Sequence, residues 1–236
     1  MIRRNLPNLL TSLNLLCGII ASSYALQGKV EEILPWFLGS ILCDFFDGFV
    51  ARLLKVSSAI GKELDSLADM VSFGLMPGWL VLSMMGNLPC NELLTSIKEF
   101  LPFVALLLPV FSALRLAKFN IDTRQTHSFI GLPTPANALF WLSFVWYGLE
   151  KESVCSQEVV LLLVLIFSLL MVCELPMFSL KIKGIDWKEN RVLYLFLLLC
   201  IGLLIYFKSL GPALCIVCYI LICGGEYLYN YLRNRQ

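Results

Sequence analysis

The stretch from Asp44 to Asp69 reads D-F-F-D-G-F-V-A-R-L-L-K-V-S-S-A-I-G-K-E-L-D-S-L-A-D, which puts four aspartates, an arginine and two glycines into an otherwise apolar chain. At about 100° per residue, Asp44, Asp47, Gly48, Ala51 and Arg52 share one face of a helix, and Gly61, Asp65 and Asp69 share one face of the next. Oxygen ligands at this density suit a hard divalent ion, Mg²⁺ or Mn²⁺, rather than zinc. The small residues beside them leave room for something bulky to approach the backbone. With one arginine added, the set suits a phosphate or pyrophosphate. The alternative is polar glue between helices, or one half of a set of buried ion pairs. Against it, Arg52 is the only basic residue on that face, and one cation does not neutralise four carboxylates. A single aspartate near mid-membrane costs about 2.5–3.5 kcal/mol on insertion scales.

The elements that must position these groups are membrane helices. The chain has 236 residues, of which 58% are hydrophobic and only 15% charged, whereas soluble domains carry about 25% charged residues. Apolar runs near the roughly 20 residues needed to cross a bilayer recur throughout. Eight spans are expected, at about 8–27, 33–54, 63–85, 99–119, 133–149, 158–178, 192–207 and 210–230. Gly28, Pro89, Gly131, Pro133 and Gly184 mark connections between them. The short loops imply an all-α polytopic bundle forming one membrane domain over 1–236. Met1-Ile-Arg-Arg is read as the lead into the first span, not as a cleavable leader.

Lys29, Lys98, Lys151 and Lys208 fall on one side of this topology, and all the other basic residues fall on the opposite side. By the positive-inside rule that second side is cytoplasmic, and it holds both termini. Asp44 then lies roughly 12 Å below Arg52 and Asp69 roughly 10 Å below Lys62, at 1.5 Å per residue, so the two helices carry their carboxylates at matching depth. A net charge of +1 gives no case for nucleic-acid binding. The nine cysteines show no disulfide framework, and Cys215-x-x-Cys218 sits in an apolar helix and is read as packing.

Asp44-x2-Asp47-Gly48-x2-Ala51-Arg52-x8-Gly61-x3-Asp65-x3-Asp69 resembles, without departure, the signature of the CDP-alcohol phosphotransferase family. Eight positions each filled by chance at roughly 7% coincide on the order of once in 10⁹ starting points, so the signal is specific. The resemblance implies a six-helix core over 1–180, with 181–236 as an added helix pair, and a homodimer. It implies that Asp44, Asp47, Asp65 and Asp69 hold two divalent ions, Mg²⁺ or Mn²⁺, and that Asp69 also takes the acceptor's proton. Gly48, Ala51, Arg52 and Gly61 would line the CDP site. Pro7-Asn8-Leu-Leu-Thr11 resembles the family's first-helix motif, so Asn8 and Thr11 are expected at the nucleotide or pyrophosphate, with helix capping as the competing role.

Three further stretches resemble the branch of the family whose acceptor is L-serine. They are Asp65-Ser-Leu-Ala-Asp69-Met-Val-Ser72-Phe73-Gly74-x2-Pro77, Leu114-Arg115-Leu-Ala-Lys118-Phe119-Asn120 and Gly131-Leu-Pro133-Thr-Pro135-Ala. The implied activity moves a phosphatidyl group from CDP-diacylglycerol to L-serine at the cytoplasmic face of an inner membrane. Arg115, Lys118, Asn120 and Arg124 form the expected acceptor pocket, because a zwitterion's carboxylate wants a fixed cation. Those charges also suit glycerol 3-phosphate or inositol phosphate, and they also fit as ordinary positive-inside residues. A divalent-cation transporter is the rival of another class, and it would need further carboxylates toward the outer ends of the spans. His127 is read as a loop residue, and Glu174 with Pro176 as a kink at the end of the sixth span.

Overall fold

The computed structural model describes residues 2–56, 58–122, 129–151, 155–177 and 191–233. α1 (Ile2–Leu26) and α2 (Val30–Leu54) pack along each other. Gly28 makes the turn between them at φ 70°, a conformation that costs glycine little. α2 stops at Lys55, which is left-handed and returns its N–H to the carbonyls of Ala51 and Arg52. Ser58 is extended and caps α3 (Ala59–Asp69), its hydroxyl oxygen accepting the Gly61 N–H at 2.9 Å.

Pro77 shapes the chain on both sides of it. It has no N–H to give to the preceding turn, and the Met76 N–H reaches back five residues to the Val71 carbonyl. Met70–Leu75 is therefore a π turn, continued by α4 (Met76–Met85). The wider turn buries Ser72, Phe73 and Gly74. It sets Ser72 against Gly18 of α1, where any Cβ would overlap the serine.

Two 3₁₀ turns, Glu92–Ile97 and Leu101–Leu106, lead into α5 (Leu107–Ile121). Next come α6 (Thr134–Glu150) and α7 (Gln157–Val172), then α8 (Arg191–Phe207), a 3₁₀ turn at Lys208–Leu210, and α9 (Gly211–Arg233). Two short strands, β1 (Phe129–Ile130) and β2 (Pro176–Met177), pair antiparallel. Their pairing corrects the expected end of the sixth span. α7 stops at Val172 and Cys173 is extended. Pro176 disfavours helix at Leu175, so it ends the helix and turns the chain toward β1 instead of kinking it.

α4 lies at the centre, against α1, α6 and the turn before α5, with Leu80, Val81 and Met85 fully buried. Phe37 meets Phe73 edge-on at 6.0 Å between ring centroids, and Phe140 stacks on Phe167 at 3.9 Å. α5 packs on α7, and α9 packs on α6 with α8 beside it. Among the described residues five segments are long and apolar enough to cross a membrane: Asn5–Leu26, Val30–Leu54, Ala59–Met85, Leu101–Ile121 and Leu193–Arg233. The last contains both α8 and α9, separated at Lys208, where φ is 46°. α6 and α7 are shorter, at 17 and 16 residues. Large apolar side chains face outward along these helices, as Leu195, Leu198 and Ile205 do on α8. The protein is an all-α, multi-pass membrane bundle.

Candidate active site

α2 and α3 both pack on α1, and together they bring like charges close to one another. One carboxylate oxygen each from Asp44, Asp47 and Asp65 lies within 4.8 Å of the others. Asp47 is buried, and the Thr11 hydroxyl of α1 donates to its Oδ2 at 2.7 Å. Thr11 Oγ1 also lies 3.0 Å from the Pro7 carbonyl in its own helix. This places Thr11 inside α1, against the carboxylates, and not at a cap. Asp65 Oδ1 is buried and has no hydrogen-bond partner among the described residues. A buried carboxylate oxygen left unpaired beside two more carboxylates is costly unless a cation joins it. The donor set is all oxygen and converges from two helices, so it fits a hard divalent ion.

Asp69 stands one helical turn beyond Asp65. Its hydrogen-bonding contact lies outside the signature motif. Asn14 of α1 is fully buried, and its Nδ2 points to Asp69 Oδ1 at 3.4 Å. The Ser72 hydroxyl holds Asn14 Oδ1 at 2.8 Å, which fixes the amide with its NH₂ toward the aspartate. Ser40 of α2 donates to the Asn14 carbonyl at 3.3 Å. The signal in the sequence is Asn8-x2-Thr11-x2-Asn14, polar residues every third position on an apolar helix.

Beside the carboxylates a cleft of about 250 Å³ is lined by Pro7, Asn8, Thr11, Asp47, Gly48, Ala51, Val56, Ser58, Gly61, Lys62 and Asp65. Of the residues expected at the nucleotide, Asn8, Thr11, Gly48, Ala51 and Gly61 therefore line one space. Arg52 is not among the lining residues; its guanidinium stands over Gly48, where a Cβ would lie 3.4 Å from Nη1. Gly61 has a firmer steric reason, because a Cβ there would lie 2.8 Å from Asn8 Oδ1 and 2.9 Å from Ser58 Oγ. Ser58 and Lys62 join the lining without being expected there. In the sequence Lys62 is only a topology signal, and a cap serine is visible only as a cap.

The four residues expected at the acceptor do not act alike. Arg115 of α5 is 7% exposed, its Nη1 donating to Thr134 Oγ1 at 3.3 Å and its Cζ standing 5.6 Å from the Phe119 ring centroid. Its Nε is buried and has no partner among the described residues. Lys118 donates to the Val172 carbonyl at 3.2 Å, closing the last turn of α7. Asn120 is tied to α3: its Nδ2 donates to Ser66 Oγ at 2.9 Å, and its carbonyl accepts from Lys62 Nζ at 2.8 Å. Arg124 and His127 lie outside the described residues. Arg115 and Lys118 line a second cavity of about 320 Å³, together with Phe119, Ile121, Asp122, Ile130, Met171, Val172, Cys173 and Glu174.

The family profile described as CDP-alcohol phosphatidyltransferase matches residues 4–180. The CDP-diacylglycerol–serine O-phosphatidyltransferase of Bacillus subtilis is 35% identical over 147 residues, covering 60% of this chain and 76% of that protein. The protein of the same name from Helicobacter pylori strain J99 is 35% identical over 135 residues, 56% of this chain and 54% of its own length. That from Methanocaldococcus jannaschii is 36% identical over 137 residues, 57% of each. With its profile matched from the first helix through residue 180, the chain belongs to the CDP-alcohol phosphatidyltransferase family.

Proposed function

We propose that the protein is a CDP-diacylglycerol–serine O-phosphatidyltransferase, making phosphatidylserine and CMP. The observation that carries this is the convergence of Asp44, Asp47 and Asp65, with one orphaned oxygen, beside a cleft sized for a nucleotide head group. The names of the relatives supply the acceptor. Asp44, Asp47, Asp65 and Asp69 would hold two Mg²⁺ or Mn²⁺ ions, which supply charge neutralisation of the pyrophosphate and of the phosphate that leaves.

The residues of the chain bind and orient. Asn8, Thr11, Gly48, Ala51 and Gly61 form the bed for the CDP group, and Arg52 reaches its phosphates from above Gly48. The serine hydroxyl attacks the phosphorus that carries diacylglycerol. The new O–P bond forms as the bond to CMP breaks, and the hydroxyl proton passes to Asp69. Asn14, held by Ser72, keeps the Asp69 carboxylate aimed at that proton. Arg115 takes the acceptor's carboxylate.

The distribution of lysine and arginine supports eight spans with both termini and the site at the cytoplasmic face of an inner membrane. The six-helix core over 1–180, the added pair over 181–236 and the homodimer rest on the family resemblance. The test uses detergent-solubilised protein, CDP-diacylglycerol, Mn²⁺ or Mg²⁺, and L-serine, glycerol 3-phosphate or inositol phosphate in separate reactions. CMP release with L-serine, abolished by a chelator, is the expected result. Faster turnover with a phosphorylated alcohol would replace the acceptor, and metal flux into liposomes without CDP-lipid cleavage would replace the reaction class.

A further inference from the structure

α3 presents two adjacent faces to two neighbours. Gly61 and Asp65 line the nucleotide cleft. Lys62 and Ser66, each the next residue along, lie about 100° around the helix and meet the end of α5. There the contacts close a ring. The Lys62 ammonium donates to the Asn120 carbonyl at 2.8 Å, and the Asn120 amide donates to Ser66 Oγ at 2.9 Å. The Ser66 hydroxyl in turn donates to the Lys62 carbonyl at 3.3 Å. Lys62 also lines the cleft, so it belongs to both faces.

Asn120 stands in the last turn of α5, which ends at Ile121. Its carbonyl is one of those that a helix end leaves without an intrahelical partner, and a cation is favoured there. On its other flank α5 gives the Lys118 ammonium to the carbonyl of Val172, the last residue of α7. A lysine of α3 thus closes α5, and a lysine of α5 closes α7. The ends of α5 and α7 form walls of the second cavity. In lipid the hydrophobic effect supplies little force between helices, so interhelical hydrogen bonds of this kind fix how one helix slides along another. Arg115 precedes Asn120 on α5 by roughly 7.5 Å at 1.5 Å per residue, and it shifts with that helix.

The geometry points to Lys62, Ser66 and Asn120 as positioning residues for the acceptor: their ring holds the end of α5, and with it Arg115, in register with the donor helix α3. The inference rests on the proposed transferase reading. It gives Asn120 a role through Ser66 and not through contact with the acceptor. It gives Lys62 a part on both sides of the reaction, as a wall of the nucleotide cleft and as the cap of the helix that carries Arg115.

The test measures initial rates in detergent for the wild type, Ser66→Ala, Asn120→Ala and the double variant. The two substitutions delete the same bond, so each is expected to raise the KM for L-serine about fivefold, and the pair no further. Neither residue lines the nucleotide cleft, so the KM for CDP-diacylglycerol should stay within about twofold, which also shows that the variants are folded. A rise in Asn120→Ala that Ser66→Ala does not share makes Asn120 a direct acceptor contact and overturns the proposal. A lower thermal midpoint with the L-serine KM unchanged overturns it as well, because the ring would then only hold the fold. Lys62→Met should raise both KM values, whereas Lys62→Arg keeps a donor for the Asn120 carbonyl and should bring the L-serine KM back to within about twofold of wild type. An L-serine KM unchanged in Lys62→Met removes the lysine from the ring. Failure of the wild type to use serine at all is a different result, and it removes the transferase reading together with the acceptor role built on it.

Discussion

The proposed donor side and the proposed acceptor side of the site are built in different ways. The donor side is a local construction. Asp44, Asp47, Gly48, Ala51, Gly61 and Asp65 come from one helical hairpin, closed by a left-handed Lys55 and capped by Ser58, with one face of α1 laid against it. The acceptor side is assembled from pieces distant in the chain: Arg115 and Asp122 at the end of α5, Thr134 at the start of α6, and Met171 to Glu174 at the end of α7. In the proposed reading, the donor residues lie on two consecutive helices fixed by packing on α1, whereas the acceptor residues depend on which helix ends meet.

Asp69 carries the proposed proton-accepting role, and its removal should have the largest effect. Asp69→Asn keeps the size of the side chain and deletes the proton acceptor. Turnover is expected to fall about 10²–10⁴-fold, with CDP-diacylglycerol binding by titration close to wild type. Turnover near wild type would take the proton-accepting role from Asp69, and lost binding would assign it to the donor side only.

Asn14→Ala comes next. It frees the Asp69 carboxylate without touching either substrate, and removal of such a supporting partner costs about 10–100-fold. The loss should appear in kcat, with both KM values changed little. A change confined to KM would make Asn14 part of the binding surface.

Gly61→Ala tests whether the sides are separable. Its Cβ would crowd Asn8 and Ser58, and overpacking of roughly 1–2 kcal/mol corresponds to about tenfold in affinity. The KM for CDP-diacylglycerol should rise while that for L-serine holds. A parallel rise in both would show that the two halves move as one.

The smallest effect is expected far from both. Ser143 of α6 donates to the Ser209 carbonyl at 2.6 Å and accepts from the Ala213 N–H at 3.0 Å, fastening the last two helices to the bundle. Ser143→Ala should cost roughly 1–2 kcal/mol, read as a lower thermal midpoint with kinetic constants unchanged. An unchanged midpoint would mean that apolar packing alone holds the pair.

Much of this is legible in the residues alone. Composition and run length require membrane helices, and the hairpin carrying Asp44 to Asp69 lies where its motif puts it. Gly61 and Thr11 stand out by resemblance, and the packing supplies their reasons, a crowded Cβ position and a hydrogen bond to Asp47. Asn14 continues the Asn8-x2-Thr11 spacing, but that spacing does not say what the amide meets until Ser72 and Asp69 are seen beside it. Ser72 reaches it only through the π turn before Pro77, and an added residue in a turn leaves no periodic trace. Lys118 and Asn120 look like substrate contacts in the sequence, yet both are tied to backbone or side chains of neighbouring helices.

The amino-acid sequence by itself determined that this chain is a multi-pass membrane protein and carries the carboxylate signature of the CDP-alcohol phosphatidyltransferase family. Both rest on local rules, residue hydropathy and the helical repeat, which act within a few turns. Only the tertiary structure decided that Arg115 is buried against Thr134, that Asn14 stands beside Asp69, and that Asp122 and Glu174 share a cavity with the arginine. Those relations join residues on different helices. No spacing along the chain encodes them, because they exist only once apolar packing has chosen which helix ends meet.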